Sequence, residues 1–207
     1  MHRPVPKQYW NGPSSYSKAD VMESPQIIIL AGSNGAGKST LSRLPVLAGL
    51  PFLNADDIEI EIASGPFAAG RTLIARLDEA ASQRIHFVVE TTLSGRWLAS
   101  HLIAFRALGY QIRTIFVWLS SDDISVARVA SRVEVGGHNI PEPTIRRRYK
   151  RGLRNFWHIY APLSDTWDVY DNSTVSARLV ANKESDLGTV VLIPKIWHVI
   201  QEQLKDE

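Results

Sequence analysis

Apolar positions in this chain come in short blocks separated by longer mixed stretches. Gln26–Ala31 holds five consecutive apolar residues from Ile27, and His86–Glu90 (HFVVE), Ile112–Leu119 (IRTIFVWL) and Thr166–Tyr170 (TWDVY) are further compact blocks. Runs of that length bounded by polar or turn residues predict buried strands, with a shorter one at Phe52–Leu53. Helical periodicity falls between them. It covers Lys38 to about Ala48, with Pro45 placed to shorten it, then Asp56–Ala63 and Pro66–Gln83, with Pro66 at a helix start. It resumes over Gly95–Leu108, closed by Gly109 as the residue after the cap, from Asp122, as cap, to about Val135, and over Thr144–Tyr160. Strands alternating with helices predict an α/β fold whose mainly parallel sheet has helices on both faces. After Tyr170 the pattern changes. Ser176–Lys183 and Thr189–Ile193 read as a hairpin, followed by a terminal helix to Leu204. Residues 1–24 are polar and rich in proline and serine. They predict a flexible N-terminal extension, with one domain over 25–207.

Composition narrows the chemistry. At 207 residues, 44% hydrophobic and 21% charged, the chain has the makeup of an ordinary single domain with a substantial core. A net charge of +2 creates no global field that demands a polyanionic partner. The absence of cysteine excludes disulfides, thiolate metal sites and a cysteine nucleophile, and fits a reducing compartment. The six histidines show no zinc-binding spacing. No apolar run approaches the ~20 residues that cross a bilayer, and the N-terminus lacks a signal-peptide apolar region, so a soluble, cytoplasmic protein is expected.

The strongest motif follows the first strand. Gly32-Ser33-Asn34-Gly35-Ala36-Gly37-Lys38-Ser39 matches GxxxxGK[ST] in the required strand–loop–helix setting, with Thr40 next. Glycines let main-chain N–H groups converge on an anion, and the following helix start adds its positive dipole end. Lys38 supplies a point charge to the terminal phosphates, and Ser39 a hydroxyl for Mg2+. The pattern predicts a three-layer P-loop NTPase or kinase fold binding a nucleoside triphosphate. ATP is the expected nucleotide, since no NKxD guanine-reading motif is present.

A phosphotransferase also needs carboxylates near the metal and the acceptor hydroxyl. Asp56, in FLNADDIE, and Glu90, ending HFVVE, both stand where strands should end, at the ligand-binding edge of an open sheet. Taken alone, Asn54, Asp56 and Asp57 read first as helix caps, and the plain reading of Glu90 is a hydrogen-bonded structural acid.

After the phosphate loop, the ordered segments FLNADDIE, FVVETTLSGR, RVASRVEVGGHNIP, IRRRYKRGLRNF and VYDNS resemble the zeta-toxin-like P-loop kinases over about Gln26 to Ser173. The resemblance implies a toxin–antitoxin kinase that uses ATP and Mg2+ to phosphorylate the 3′-hydroxyl of the sugar in UDP-N-acetylglucosamine, with a small antitoxin protein as a partner. It assigns Lys38 and Ser39 to phosphate and metal, Asp56 to the general base, and Glu90 to the strand-terminal acid. Asn54, Thr91, Thr92 and Arg96 then lie on the sugar-nucleotide side. The lid segment GGHNIPEP departs from the best-known toxins, which place an arginine near the equivalent proline, and matches a predicted-ATPase branch with a GGH lid.

The run IRRRYKRGLR places six basic residues between Arg146 and Arg154. At about 100° per residue, Ile145, Tyr149, Leu153, Phe156 and Tyr160 gather on one side and predict a core-facing stripe. Arg147, Lys150, Arg151 and Arg154 point away, and Arg146 and Arg148 flank the stripe. Solvation, nucleic-acid contact and clamping of ATP phosphates compete for these cations. Lids of P-loop kinases deliver arginines to the transferring phosphoryl group, which selects Arg132 and Arg148, with Arg147 next. Arg128 lies one turn before Arg132. A nucleic-acid kinase using the face 146–154 is the alternative. In the DNS turn at Asp171–Ser173, Asn172 is a candidate adenine contact, and an Asx turn is the simpler reading.

Overall fold

The computed structural model describes residues 24–62, 65–137, 139–185 and 188–205. Residues 1–23, which make up nearly all of the expected extension, and His138 of the lid lie outside the described residues. Seven strands form one sheet: β1 (Gln26–Gly32), β2 (Phe52–Asn54), β3 (Phe87–Thr91), β4 (Gln111–Trp118), β5 (Thr166–Asp171), β6 (Arg178–Glu184) and β7 (Gly188–Val191). Their order is β2-β3-β1-β4-β5-β6-β7. The first five are parallel, and β6 and β7 add antiparallel. The predicted C-terminal hairpin is therefore β6–β7, and α8 (Pro194–Lys205) is the terminal helix.

β1 is buried on both faces because its side chains alternate between two cores. Ile27 and Ile29 join one cluster with Leu77, Leu98, Leu102 and Phe156. Ile28 and Leu30 join another with Leu41, Leu47, Ile115 and Val117. The first core lies under α3 (Gly65–Ser82), α4 (Trp97–Ala107) and α8. The second is covered by α1 (Lys38–Leu41) and a 3-10 turn at Pro45–Leu47. α2 (Ala55–Ile62) leaves the edge strand β2. Val129 of α5 (Asp122–Glu134), Ile145 of α6 (Glu142–Asn155) and Ile140 of the loop between them form a third, small cluster.

Three predicted helices differ in their ends, each for a local reason. The helix expected to reach Ala48 stops at Leu41, because Pro45 offers no N–H and its predecessor Leu44 is extended, with ψ 138°. The cap of α5 is Ser121, whose hydroxyl accepts from the Ile124 N–H, while Asp122 and Asp123 occupy the first turn. The long helix expected over 144–160 is α6 followed by a π turn at Phe156–Tyr160 and a short α7 (Ala161–Leu163).

Candidate active site

Strand order reverses around β1, between β3 and β4, and the C-terminal ends of strands at such a switch point are where open α/β sheets bind ligands. The glycine loop leaves β1 there. A Cβ at Gly32 would stand 2.5 Å from the Val117 carbonyl oxygen, so β4 can lie this close only to glycine. The loop closes with the Ala36 N–H donating to Ser33 O at 3.1 Å. Gly35 and Gly37 take left-handed φ values of 76° and 90°, which turns successive amides inward as an anion nest. The ammonium of Lys38, 8% exposed, donates to the carbonyls of Gly32 (3.0 Å) and Ser33 (3.2 Å) and lies 3.8 Å from Glu90 Oε1. Ser39 and Thr40 are exposed in the only turn of α1. The expected full helix dipole is thus reduced to a single turn, which leaves the loop amides and the Lys38 ammonium as the positive groups of the loop.

Neighbouring elements hold this loop in place. Asn172 Nδ2 donates to Ala36 O at 2.7 Å and lies 2.3 Å from where a Cβ of Gly37 would stand. One N–H of its amide is therefore engaged by the loop backbone. The Asx turn beside it belongs to Asp171, whose Oδ1 accepts from the Ser173 N–H at 2.9 Å. The hydroxyls of Ser33 and Ser125 meet at 2.9 Å inside the protein. Ser125, on α5, belongs to no motif, and its part became visible only once α5 was packed on the loop.

The arginines divide by place. Arg148 Nη1 donates to Asn34 Oδ1 at 3.2 Å, so it reaches the loop. The Cβ of Arg128 packs against Gly35, whereas Arg132, one turn further along, is exposed and lays its stem along Gly137. Arg146 is taken by Asp122, Asp123 and Glu142 at 2.7–2.9 Å, which holds its guanidinium further above its ordinary pKa. Arg147, Lys150, Arg151 and Arg154 are exposed, as the periodicity predicts, and have no ion-pair partner among the described residues.

The other wall comes from β3 and β2. Glu90 pairs in register with Leu30 on one side and Asn54 on the other. Asp56 follows two residues after Asn54, in the first turn of α2. The preceding strand, β2, is two steps from β1, roughly 10 Å at the usual strand spacing. Glu90, Thr91 and Thr92 are half-buried, and Arg96 is exposed just before α4. Thr91 Oγ1 accepts from the Leu93 N–H at 3.2 Å, and the hydroxyls of Thr92 and Ser94 meet at 3.0 Å. The Tyr160 hydroxyl donates to Gly95 O at 2.8 Å. Burial pushes this phenol up to about 12, against a smaller opposing pull from Arg96.

No protein-family model matches the chain. An uncharacterized protein of Haemophilus influenzae is 31% identical over 127 residues, which cover 59% of this chain and 91% of that protein. The crystal structure of AvrRxo1-ORF1:-ORF2 with ATP superposes with a TM-score of 0.69 at 16% identity over 86% of this chain. The match spans 63% of that protein's length, so the chain accounts for less than two thirds of it. A chain of the PezAT chromosomal toxin–antitoxin system of Streptococcus pneumoniae gives 0.62 at 14% identity, covering 89% of this chain and 87% of that one. No helix among the described residues is long and apolar enough to cross a membrane. The fold is that of the zeta-toxin-like P-loop kinases, and the chain belongs to the same family as the Haemophilus protein.

Proposed function

We propose that this protein is an ATP-dependent kinase that moves the γ-phosphoryl group to a sugar-nucleotide hydroxyl, with the 3′-hydroxyl of UDP-N-acetylglucosamine as the acceptor. The observation that carries the reading is the meeting of Lys38 and Glu90, 3.8 Å apart, at the mouth of the glycine nest, with Asn54 in register beside Glu90 and Asp56 following in the first turn of α2. The triphosphate takes loop 32–40, with Asn172 supporting the loop from the nucleoside side. Hard oxygen donors fit Mg2+, which binds through one or two protein oxygens plus phosphates, and Ser39 Oγ and the Glu90 carboxylate are such donors. When bound, the ion neutralises charge on the β- and γ-phosphates.

Asn54, Thr91, Thr92 and Arg96 flank the acceptor. Its oxygen bonds to the γ-phosphorus as the bond to the β,γ-bridging oxygen breaks. ADP leaves, and the hydroxyl proton passes to Asp56. Lys38 and Arg148 stabilise the charge spreading over the γ-oxygens, and Arg132 stands further out on α5 as a second cation. The PezAT likeness, together with the pairing of AvrRxo1-ORF1 with ORF2, supports a small antitoxin partner.

The test is transfer from γ-labelled ATP to UDP-sugars, nucleotides and oligonucleotides, with Lys38→Ala as blank. Label in a UDP-sugar is expected. No product above blank, despite Mg-ATP binding, would make the protein a non-catalytic nucleotide switch. Label entering oligonucleotides would instead favour the reading suggested by the unpaired cations Arg147, Lys150, Arg151 and Arg154.

A further inference from the structure

We infer that Asn155 is a positioning residue that ties the acceptor-side loop 92–95 to the phosphate loop through α6; the acceptor half of this statement rests on the function proposed above. The loop's own bonds, Leu93 N–H to Thr91 Oγ1 and the Thr92–Ser94 hydroxyl pair, leave its main-chain carbonyls to other elements. Leu93 is buried with a left-handed φ of 53°, a conformation that a non-glycine residue keeps only when its surroundings impose it. Three carbonyls of this segment meet one continuous helical element. Thr92 O approaches Gly152 so closely that a Cβ there would stand 2.5 Å away. Leu93 O accepts from Asn155 Nδ2 at 2.8 Å, and Gly95 O from the Tyr160 hydroxyl at 2.8 Å. Asn155 is 5% exposed, and Tyr160 is fully buried.

Arg148, Gly152 and Asn155 stand at i, i+4 and i+7, so they share one face of α6. That face touches Asn34 of the phosphate loop at one end and loop 92–95 at the other. The ends are seven residues apart, about 10 Å along a stiff helix. The π turn extends the contact. With α spacing Tyr160 would stand about 140° round the helix from Asn155, and the wider i→i+5 turn swings it back toward Gly95. A shift of Arg148 on binding a triphosphate is therefore passed to the backbone that presents Thr91, Thr92 and Arg96.

Hydrogen–deuterium exchange on the full chain tests this, using wild type, Asn155→Ala and Tyr160→Phe, each with and without Mg-ATP. In Asn155→Ala, amides 91–96 should exchange at least tenfold faster, while amides 27–31 keep wild-type rates. Mg-ATP should slow amides 91–96 in wild type and leave them fast in Asn155→Ala, with ATP affinity within twofold. In turnover, KM for the sugar nucleotide should rise and KM for ATP stay. Unchanged exchange at 91–96 in both variants would overturn the tie, and equal slowing by ATP in wild type and Asn155→Ala would overturn the coupling. If Asn155→Ala loosens the core amides too, Tyr160→Phe, which loses one oxygen only, decides. Failure of the nucleotide reading is separate: no heat would appear on titrating wild type with Mg-ATP, and the comparison without nucleotide would still judge the tie.

Discussion

Replacing Asn172 by alanine separates support of the phosphate loop from contact with adenine. Its amide nitrogen is committed to Ala36 O at 2.7 Å, and the side chain is 9% exposed, so water replaces the lost donor poorly. An orphaned buried carbonyl costs about 1–3 kcal/mol, or roughly 5- to 150-fold in an equilibrium that needs the loop in this shape. In the proposed function the nest that Ala36 belongs to grips the triphosphate tail, so the penalty should appear in phosphate binding. Calorimetric titration of Asn172→Ala with Mg-ATP and with Mg-tripolyphosphate should show both affinities falling by the same factor within that range. An adenine contact predicts otherwise, with ATP weakened and tripolyphosphate bound as in wild type. That second pattern, in a protein whose thermal midpoint is preserved, would refute the assignment of Asn172 to the loop.

Asp56→Asn should abolish phosphoryl transfer while leaving Mg-ATP affinity within a few-fold, and wild-type turnover in that variant would remove Asp56 as the base. Gly152→Ala places a methyl 2.5 Å from Thr92 O and should destabilise by roughly 1–3 kcal/mol. Gly70→Ala, where a Cβ meets nothing within 4 Å in the helix α3, should stabilise by about 0.4–1 kcal/mol, so thermal midpoints moving in opposite directions check the pair. Burial raises Tyr160 and Tyr170 from 10.0 to about 12. The unfolded phenols ionise first, so the folded state holds more protons in that window and stability falls as pH rises through it. Denaturant melts across the same range should show a shallower fall for the double variant Tyr160→Phe/Tyr170→Phe.

What could be read from the sequence was what depends on neighbours along the chain. The block at 27–31 had to be a buried strand, and the loop after it was expected to hold phosphate, because the spacing of three glycines, a lysine and a serine is the pattern of a phosphate loop. The outward cations of α6 followed from its period alone. Where a partner arrives from elsewhere in the chain, the one-dimensional pattern names the residue type and not its job. Asn172 reads as a turn former by composition and becomes a loop support only because β5 ends beneath Ala36. Ser125 reads as one polar residue among others in a helix until it meets Ser33, 92 positions away. Asn155 sits between basic and aromatic residues whose period announces a core face and a charged face. Its own stripe, with Arg148 and Gly152, carries no hydrophobic signal at all. Residues that join two halves of a site are polar or small because they touch backbone, and those are the types that periodicity discounts. Such joints are best sought where a buried amide or a crowded glycine lies in phase with a charged residue already placed in the site, and α6 meets that condition at 148, 152 and 155.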